Sequence, residues 1–231
     1  MSLTPHNHSR MLVMACATVI EEMLPLLPAG MQYQVFDFGL HVNPDRLRRA
    51  LQEAIDAVSG QFDTVILGYG LCSQAIIGIK ANGCRLVVPR VDDCIAIFLG
   101  SRGAYAAQFQ AEPGTYYLTK GWIEVGDTPF SDYERSVQRY GKARAEHIYQ
   151  IMMGNYRRLA LINTGQSELE KYRDYTRRTA EKFGLRFEEI EGSDGLLKKM
   201  LFGPWDDEFV VIEPGETFAL CHFYNFEEGA V

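Results

Sequence analysis

Five cysteines are the residues of this sequence best suited to chemistry: Cys16, Cys72, Cys84, Cys94 and Cys221. Successive cysteines are 56, 12, 10 and 127 residues apart, and no two of them form a CxxC pair. Disulfide scaffolds carry an even number of cysteines in a short chain, and zinc ribbons carry paired ones. The spacing therefore excludes both classes and leaves open what the cysteines do.

The elements that must position these cysteines follow from the apolar runs. Strands are predicted at residues 11–15, 34–38, 64–67 and 85–88, with a helix after each. Such alternation is typical of a parallel sheet with right-handed crossovers. A second alternating unit is predicted to begin at Arg158, with strands at 158–162, 186–190 and 209–213. We predict an α/β fold with parallel-sheet, Rossmann-like architecture in two halves with a cleft between them.

The predicted boundaries are a disordered tail at 1–10, an N-terminal α/β half at 11–126 that holds the Cys/His site, and a C-terminal α/β half at 127–231. We expect a helix capped by Asn43 that runs to about Val58, and a short helix near Leu71. Asp92 is predicted to cap one helix through residue 109, and residues 131–155 to form one long helix.

Four successive strand ends each deliver a possible metal ligand. The first predicted strand ends at Cys16, the second is followed by His41, the third by Cys72 and the fourth by Cys94. Because parallel strands end at one edge of a sheet, these side chains are expected to converge there. Three thiolates and an imidazole are a familiar zinc set, and cysteine-rich sites also hold iron–sulfur clusters. Taken singly, each cysteine is better explained as a small buried hydrophobe; the coincidence of four ligand types at four strand ends is what favours a shared site.

The three strand-end cysteines are also expected near helix starts, where backbone N–H groups favour the thiolate that binds metal. Cys84 is expected at the opposite edge of the sheet. The sequence does not indicate where Cys221 lies in the fold. Further residues are candidates for substrate binding, each with an ordinary structural alternative: Gly70, Asp93, Tyr117, Trp122, Thr164 and Glu213. The GxG turn at residues 68–70 lacks a third glycine, so a turn that brings Cys72 to the sheet edge explains it better than nucleotide binding.

Charge and hydropathy exclude some partners. The 231 residues carry a formal net charge of −7, which removes the electrostatic basis of a non-specific nucleic-acid binder. No apolar run approaches the roughly 20 residues that span a bilayer. We therefore expect no nucleic-acid partner, no membrane partner and a cytoplasmic location; oligomeric state is left open. A hydrolase is disfavoured because the sequence has no GxSxG motif.

Several segments resemble an uncharacterised family, the domain of unknown function 1638. They are LVMAC (12–16), GLHVNPDRL (39–47), LGYGLCS (67–73), VVPRVDDCIAIFLGS (87–101), GTYYLTKGWIE (114–124) and INTG (162–165). The family's motif cysteines match Cys16, Cys72 and Cys94, and its Leu-His step matches Leu40 and His41. The resemblance implies a genomic setting near corrinoid-dependent methyltransferases of anaerobic one-carbon metabolism.

Two hypotheses follow for function. The first is a metal-thiolate protein, with zinc or an iron–sulfur cluster, that acts in corrinoid-linked methyl transfer or one-carbon metabolism. If it is an enzyme, it is a methyltransferase or an accessory protein of one, and its partner is a small-molecule substrate or a corrinoid protein. The second is a metal-free small-molecule-binding or regulatory module that uses the cleft between the halves.

Overall fold

A computed structural model describes residues 8–72, 74–165 and 167–224. These residues fold into two β-sheets with flanking helices. The strands are β1 (Met11–Cys16), β2 (Gln32–Phe36), β3 (Thr64–Gly68), β4 (Arg85–Pro89), β5 (Thr115–Leu118), β6 (Arg158–Asn163), β7 (Arg186–Glu191) and β8 (Phe209–Ile212). The helices are α1 (Ala17–Met23), α2 (Pro44–Ala57), α3 (Cys94–Leu99), α4 (Arg102–Ala111), α5 (Lys120–Glu124), α6 (Pro129–Tyr140), α7 (Lys142–Met153), α8 (Leu169–Phe183) and α9 (Gly195–Phe202).

The first sheet has the strand order β2-β1-β3-β4-β8, and β1 to β4 run parallel. β1 and β3 are buried along their whole length, which explains their continuous apolar sequences. The chain crosses from β1 to β2 on one side and returns to β3 on the other. The topological switch point of this sheet therefore lies between the carboxyl ends of β1 and β3, where open α/β sheets bind ligands.

The second sheet has the order β5-β6-β7 and is parallel throughout. Its buried residues Ala160, Ile162 and Ile190 belong to the same apolar core as the first sheet. A second core beneath the sheet gathers Leu118, Phe130 and Leu159 with their neighbours. The predicted α/β class with parallel, Rossmann-like sheets is confirmed.

The path of β8 differs from the prediction. Residues 209–213 were expected to close a second βαβαβ unit, but β8 pairs antiparallel with β4 in the first sheet. β5, placed by sequence before the boundary at residue 126, lies in the second sheet. The sheets thus exchange strands across the expected boundary, and the division at 126 stays a prediction.

Several predicted helices are wrong in their extent. The helix expected through residue 109 is two helices, since Gly100 adopts a left-handed φ of 85° and Ser101 caps α4. The long helix at 131–155 is divided at Gly141, whose φ is 80°. Residues 74–78 form turns where a short helix was predicted near Leu71. Each break falls where glycine or turn chemistry outweighs the apolar pattern.

At the chain start, residues 1–7 of the predicted tail lie outside the described residues. His8–Arg10 form a helical turn, and Arg10 makes a bidentate bond to Asp63 with both distances at 2.6 Å. In the part of the chain that the structure describes, no helix is both long and apolar enough to cross a membrane.

Candidate functional site

Cysteines from three strand ends meet at the carboxyl edge of the first sheet. Cys16 is the last residue of β1 at the switch point, Cys72 follows β3, and Cys94 opens α3 after β4. The Cys16 and Cys72 charges both raise the pKa of Cys94, and the Cys16 charge raises that of Cys72, so the thiols are electrostatically coupled. The structure therefore brings together the three cysteines that the strand pattern singled out.

Gly70 shapes the loop that carries Cys72. A Cβ atom at Gly70 would lie 2.7 Å from the backbone nitrogen of Asp93 and 2.8 Å from the carbonyl oxygen of Val91. Because glycine permits this approach, the nitrogen of Cys72 donates to the carbonyl of Asp92 at 3.0 Å. Cys72 itself adopts a left-handed φ of 46°. Gly70 thus positions Cys72 against the β4–α3 loop, as the sequence reading of this turn expected.

The β4–α3 loop places a carboxylate beside Cys94. Asp93, and not Asp92 as predicted, caps α3, and its Oδ1 accepts from the Ile95 nitrogen at 2.9 Å. Burial raises the pKa of Asp93. Asp92 instead accepts a hydrogen bond from the Tyr224 hydroxyl and lies 3.8 Å from Arg102 Nε. The cap moved by one residue because the chain turns into the helix only after Asp93, which has extended backbone angles.

The thiols are held in their neutral form, which differs from the expected thiolates. Burial is the largest cause that raises the pKa of Cys16, Cys72 and Cys94, and mutual repulsion among the thiolates adds to it for the latter two. Cys16 also contacts the Thr18 hydroxyl at 3.0 Å, an interaction that lowers its pKa and only partly offsets burial. Cys72 does not start a helix, so no helix N-terminus stabilises its charge. Desolvation outweighs the helix ends on which the prediction relied.

His41 and Tyr69 complete the cluster around the thiols. His41 lies in the short 3-10 helix Phe38–Val42 after β2, stacked on Phe38 with ring centroids 5.4 Å apart. The rings of His41 and Tyr69 are 5.7 Å apart, and burial lowers the pKa of His41. Burial and then the charges of Cys16, Cys72 and Cys94 raise the pKa of Tyr69.

Two buried polar atoms of this cluster lack partners. His41 Nε2 and the Tyr69 hydroxyl make no hydrogen bond to any residue that the structure describes. Buried polar groups are normally satisfied, because an unsatisfied one costs about 1–3 kcal/mol. These atoms are therefore candidates for contact with a group that binds between them. Tyr69 was missed by sequence reasoning, although its place directly after a buried strand was a usable signal.

The side chains that the structure describes do not form a preassembled metal site. Within residues 8–72, 74–165 and 167–224, no group of three or more His, Cys, Asp or Glu side chains is arranged to hold a metal ion. The donor types still match a zinc or iron–sulfur set, and the thiols are close enough to influence one another's pKa. Each cysteine sulfur can change position by rotation about one side-chain bond, from one staggered rotamer to another. The donor atoms are therefore of the right types for such a metal site, but they would have to change rotamer to bind one ion together.

A pocket of about 450 Å³ opens beside the cluster, between the first sheet and β5. His41, Cys72 and Cys94 form part of its wall, whereas Cys16 lies behind them and is 1% exposed. Asp92 and Asp93 add carboxylates. Aromatic rings complete the lining: Tyr105, Tyr116, Tyr117, Trp122 and Tyr156. The predicted binding residues Asp93, Tyr117 and Trp122 thus lie at the pocket, and Tyr105 is a wall residue that sequence reasoning missed.

Other predicted binding residues lie elsewhere. The Thr164 hydroxyl donates to Glu22 at 2.6 Å, and Thr164 lines a different cavity with Glu189 and Asp194. Glu213 pairs with Arg85 at 2.8 Å, at the amino end of β4. Because β8 runs antiparallel, its carboxyl end lies at the opposite edge of the sheet from the cysteines. The structure therefore does not bring Thr164 or Glu213 to the thiol pocket.

The remaining cysteines lie outside the cluster. Cys84 is buried just before β4, at the amino edge of the sheet, as predicted. Cys221 is exposed in the turn Leu220–His222. Neither appears among the groups that shift the pKa of the clustered thiols.

The chain matches a known protein family. The family described as a protein of unknown function, DUF1638, matches residues 35–201, which is well over half of the chain. The chain belongs to this family. No curated protein and no solved structure matches it.

The DUF1638 match covers most of the site. It includes His41, Cys72, Cys94 and the β5–α5 wall with Tyr117 and Trp122. Cys16 precedes the matched range, and Glu213 and the rest of β8 follow it. The thiol pocket of this DUF1638 protein is therefore built from the matched region together with β1.

Proposed function

We propose that this protein binds a zinc ion or an iron–sulfur cluster through Cys16, Cys72 and Cys94, with His41 as a further donor. The observation that carries the proposal is the coupled set of three thiols from three strand ends. The buried Nε2 of His41, which has no hydrogen-bond partner among the described residues, supports the proposal, because neutral imidazole nitrogen is a common ligand of metal ions.

Proton release is the chemical consequence of this arrangement. Burial raises the pKa of all three thiols, so each must lose a proton when it binds metal. A zinc ion would supply Lewis acidity that lowers the pKa of a thiol substrate, and an iron–sulfur cluster would supply electron transfer. The protein's own residues place Cys72 and Cys94 on the wall of a pocket that a small molecule can enter.

Metal content after expression without oxygen tests the proposal. We expect about one zinc per chain, or iron and sulfide in a cluster ratio with visible absorption. Substituting Cys16→Ser, Cys72→Ser or Cys94→Ser should remove most of the bound metal, because each change removes a donor.

Cys84→Ser is the matched control. Cys84 is 2% exposed, which is comparable with Cys16 and Cys94, but it lies at the opposite edge of the sheet. It should retain the metal, and circular dichroism should show that all four variants fold. A metal-free protein from anaerobic preparation, or equal metal loss in Cys84→Ser, would contradict the proposal.

A role in corrinoid-linked methyl transfer or one-carbon metabolism is the extension that the family resemblance adds. In this role a methyltransferase, or an accessory protein of one, would use the metal-thiolate site toward a small-molecule substrate or a corrinoid protein. The metal-loaded protein should then catalyse the transfer of the methyl group from methylcobalamin to a thiol. The change in visible absorption of the corrin measures this reaction. The Cys72→Ser variant should not catalyse it.

A metal-free binding module is the second candidate. It is favoured by the open pocket and by the lack, among the described residues, of side chains already arranged around a metal position. Chelator-treated protein would then be stabilised by a specific small molecule, and the three cysteine variants would respond as the wild type does. That outcome would separate this candidate from the metal-thiolate proposal.

A further inference from the structure

The aromatic rings of the pocket stand at steep angles to one another. Tyr105 and Tyr117 have ring centroids 6.2 Å apart and an interplanar angle of 64°. Tyr116 and Trp122 are 6.3 Å apart at 84°. Four of the aromatic rings that line the pocket thus lie in different planes. The negative face of an aromatic ring attracts a cation, which is how proteins recognise alkylated ammonium groups.

The charges of the pocket wall are negative. Among the residues that the structure describes, the lining includes two carboxylates, Asp92 and Asp93, and neither lysine nor arginine. Asp92 already interacts with Tyr224 and Arg102. Asp93 forms no ion pair with any residue of the described ranges; its carboxylate accepts hydrogen bonds from the Ile95 nitrogen at 2.9 Å and from the Tyr105 hydroxyl. The pocket thus contains one carboxylate whose charge lacks a cationic partner.

Nearby arginine side chains do not reverse this balance. Arg158 interacts with Tyr117 and donates to Thr115 at 2.7 Å, but it is 3.7 Å from Glu112 and 3.2 Å from Glu188. An anionic ligand would therefore face an unpaired carboxylate. A neutral apolar ligand would exclude water and leave that carboxylate buried without a cationic partner.

We infer that this pocket binds an organic cation of the alkylated ammonium class, with its positive centre between the Asp93 carboxylate and the surrounding aromatic rings. The volume of about 450 Å³ suits a small molecule. The inference rests on the proposed function in one respect, because it assigns the small-molecule side of the same site. The residues that carry it are nevertheless distinct from the proposed metal donors.

Calorimetric titration with choline and its neutral carbon isostere, 3,3-dimethylbutan-1-ol, tests the charge directly. The two molecules have nearly the same shape, so a simple apolar pocket would bind them alike. We expect choline to bind at least about tenfold more tightly. Tetramethylammonium, which lacks the hydroxyl, should compete with choline.

Variants of the wall separate charge from folding. Asp93→Asn removes the charge but keeps the helix cap, since asparagine caps helices as well as aspartate does. It should weaken choline binding about tenfold and leave the isostere unchanged. Tyr117→Leu should likewise weaken choline more than the isostere. Glu213→Gln, at the opposite sheet edge, is the control and should bind as the wild type does.

Titrations of both metal-loaded and chelator-treated protein distinguish this inference from the metal proposal. Selective choline binding by protein that never holds metal would support the inference and refute the metal-thiolate function. Metal bound by the cysteines without selective binding of choline or tetramethylammonium would overturn the inference alone. Equal binding of choline and the isostere, or an unchanged affinity in Asp93→Asn, would also overturn it.

Discussion

At the scale of single residues, Gly70 connects the backbone to the candidate site. The space that a side chain would need is filled by the Val91 carbonyl and the Asp93 nitrogen. The same close contact between the two loops fixes the position of Cys72 at the sheet edge and the position of Asp93, which caps α3. One missing methyl group therefore positions both a thiol and a carboxylate of the pocket.

Gly70→Ala should lower the free energy of unfolding by about 1–3 kcal/mol, because the new Cβ overlaps backbone atoms that are not free to rotate away. It should also reduce metal content, since Cys72 would be displaced. Chemical denaturation and elemental analysis of the same preparation measure the two effects.

Gly103→Ala is the matched comparison. Gly103 lies in the first turn of α4, and the nearest atom to an added Cβ is 3.9 Å away. Alanine is the better helix former, so this variant should be as stable as the wild type or up to about 1 kcal/mol more stable. A Gly70→Ala protein that matched it in stability and metal content would refute the role assigned to Gly70.

The residue types at the strand ends predicted the gathering of Cys72 and Cys94 at one pocket, with Cys16 beside it. Parallel strands end together, so no contact information was needed. The protonation of the thiols could not be predicted in the same way, because it depends on how much water the folded chain excludes. Tyr69 and Tyr105 were missed for a related reason: an aromatic residue in a sequence does not show whether it faces a core or a cavity.

At the scale of elements, α8 is fixed to β7 by a fork of hydrogen bonds. Arg173 Nε donates to Glu189 Oε2 at 2.5 Å, and a second guanidinium nitrogen donates to Oε1 at 3.0 Å. Asn163 adds a third bond to Glu189 at 3.2 Å. Bidentate pairs of this kind are among the stronger ion pairs of protein surfaces.

The Glu189→Gln variant should show how this pair depends on pH. The hydrogen bond from Arg173 lowers the pKa of Glu189 below its ordinary value of 4.5. The stabilisation is therefore complete above that ordinary value and is lost as the pH falls through the lower folded-state value. We expect Glu189→Gln to cost roughly 1 kcal/mol at pH 7, and the difference from wild type to disappear in acid.

Glu170→Gln provides the control for this measurement. Glu170 also pairs with Arg173, but its side chain is 81% exposed, so solvent screening leaves little to lose. The free energy of unfolding of the wild type, Glu189→Gln and Glu170→Gln is measured by urea denaturation at several pH values from neutral to acid. A Glu189→Gln deficit that persists unchanged in acid would show that the cost does not come from the charge.

At the scale of the whole molecule, the two sheets are joined by more than a connecting chain. The chain leaves the first sheet after β4, builds the second sheet, and returns to the first as β8. The carboxylate of Glu22 in α1 accepts a hydrogen bond of 2.6 Å from the hydroxyl of Thr164, beside the second sheet. Residues of β6 and β7 are part of the core of the first sheet. These links predict cooperative unfolding.

Single-tryptophan variants can measure that cooperativity, since the chain has two tryptophans. Trp122 packs against both cores, whereas Trp205 packs against the first. Fluorescence of Trp205→Phe and of Trp122→Phe, each compared with circular dichroism of the same variant in urea, should give coincident transitions. Separate transitions for fluorescence and circular dichroism would show that the sheets unfold independently.

The direction of β8 explains why this arrangement of the two sheets could not be predicted from the sequence. A short buried run such as FVVI has the same apolar pattern whether it pairs parallel or antiparallel. Its partner is chosen by the open edge of β4 in the folded chain. The assignment of Glu213 to the site failed geometrically for the same reason, because reversal of the strand moved it to the other edge.

The late return of β8 has a consequence for synthesis. A ribosome makes β4 long before it makes β8, so the edge of β4 has no partner while the whole second sheet is being produced. An unpaired strand edge is a template for pairing with other chains. Nascent chains stalled before Phe209 should therefore associate with one another or with chaperones, and release from that state should coincide with emergence of the last strand.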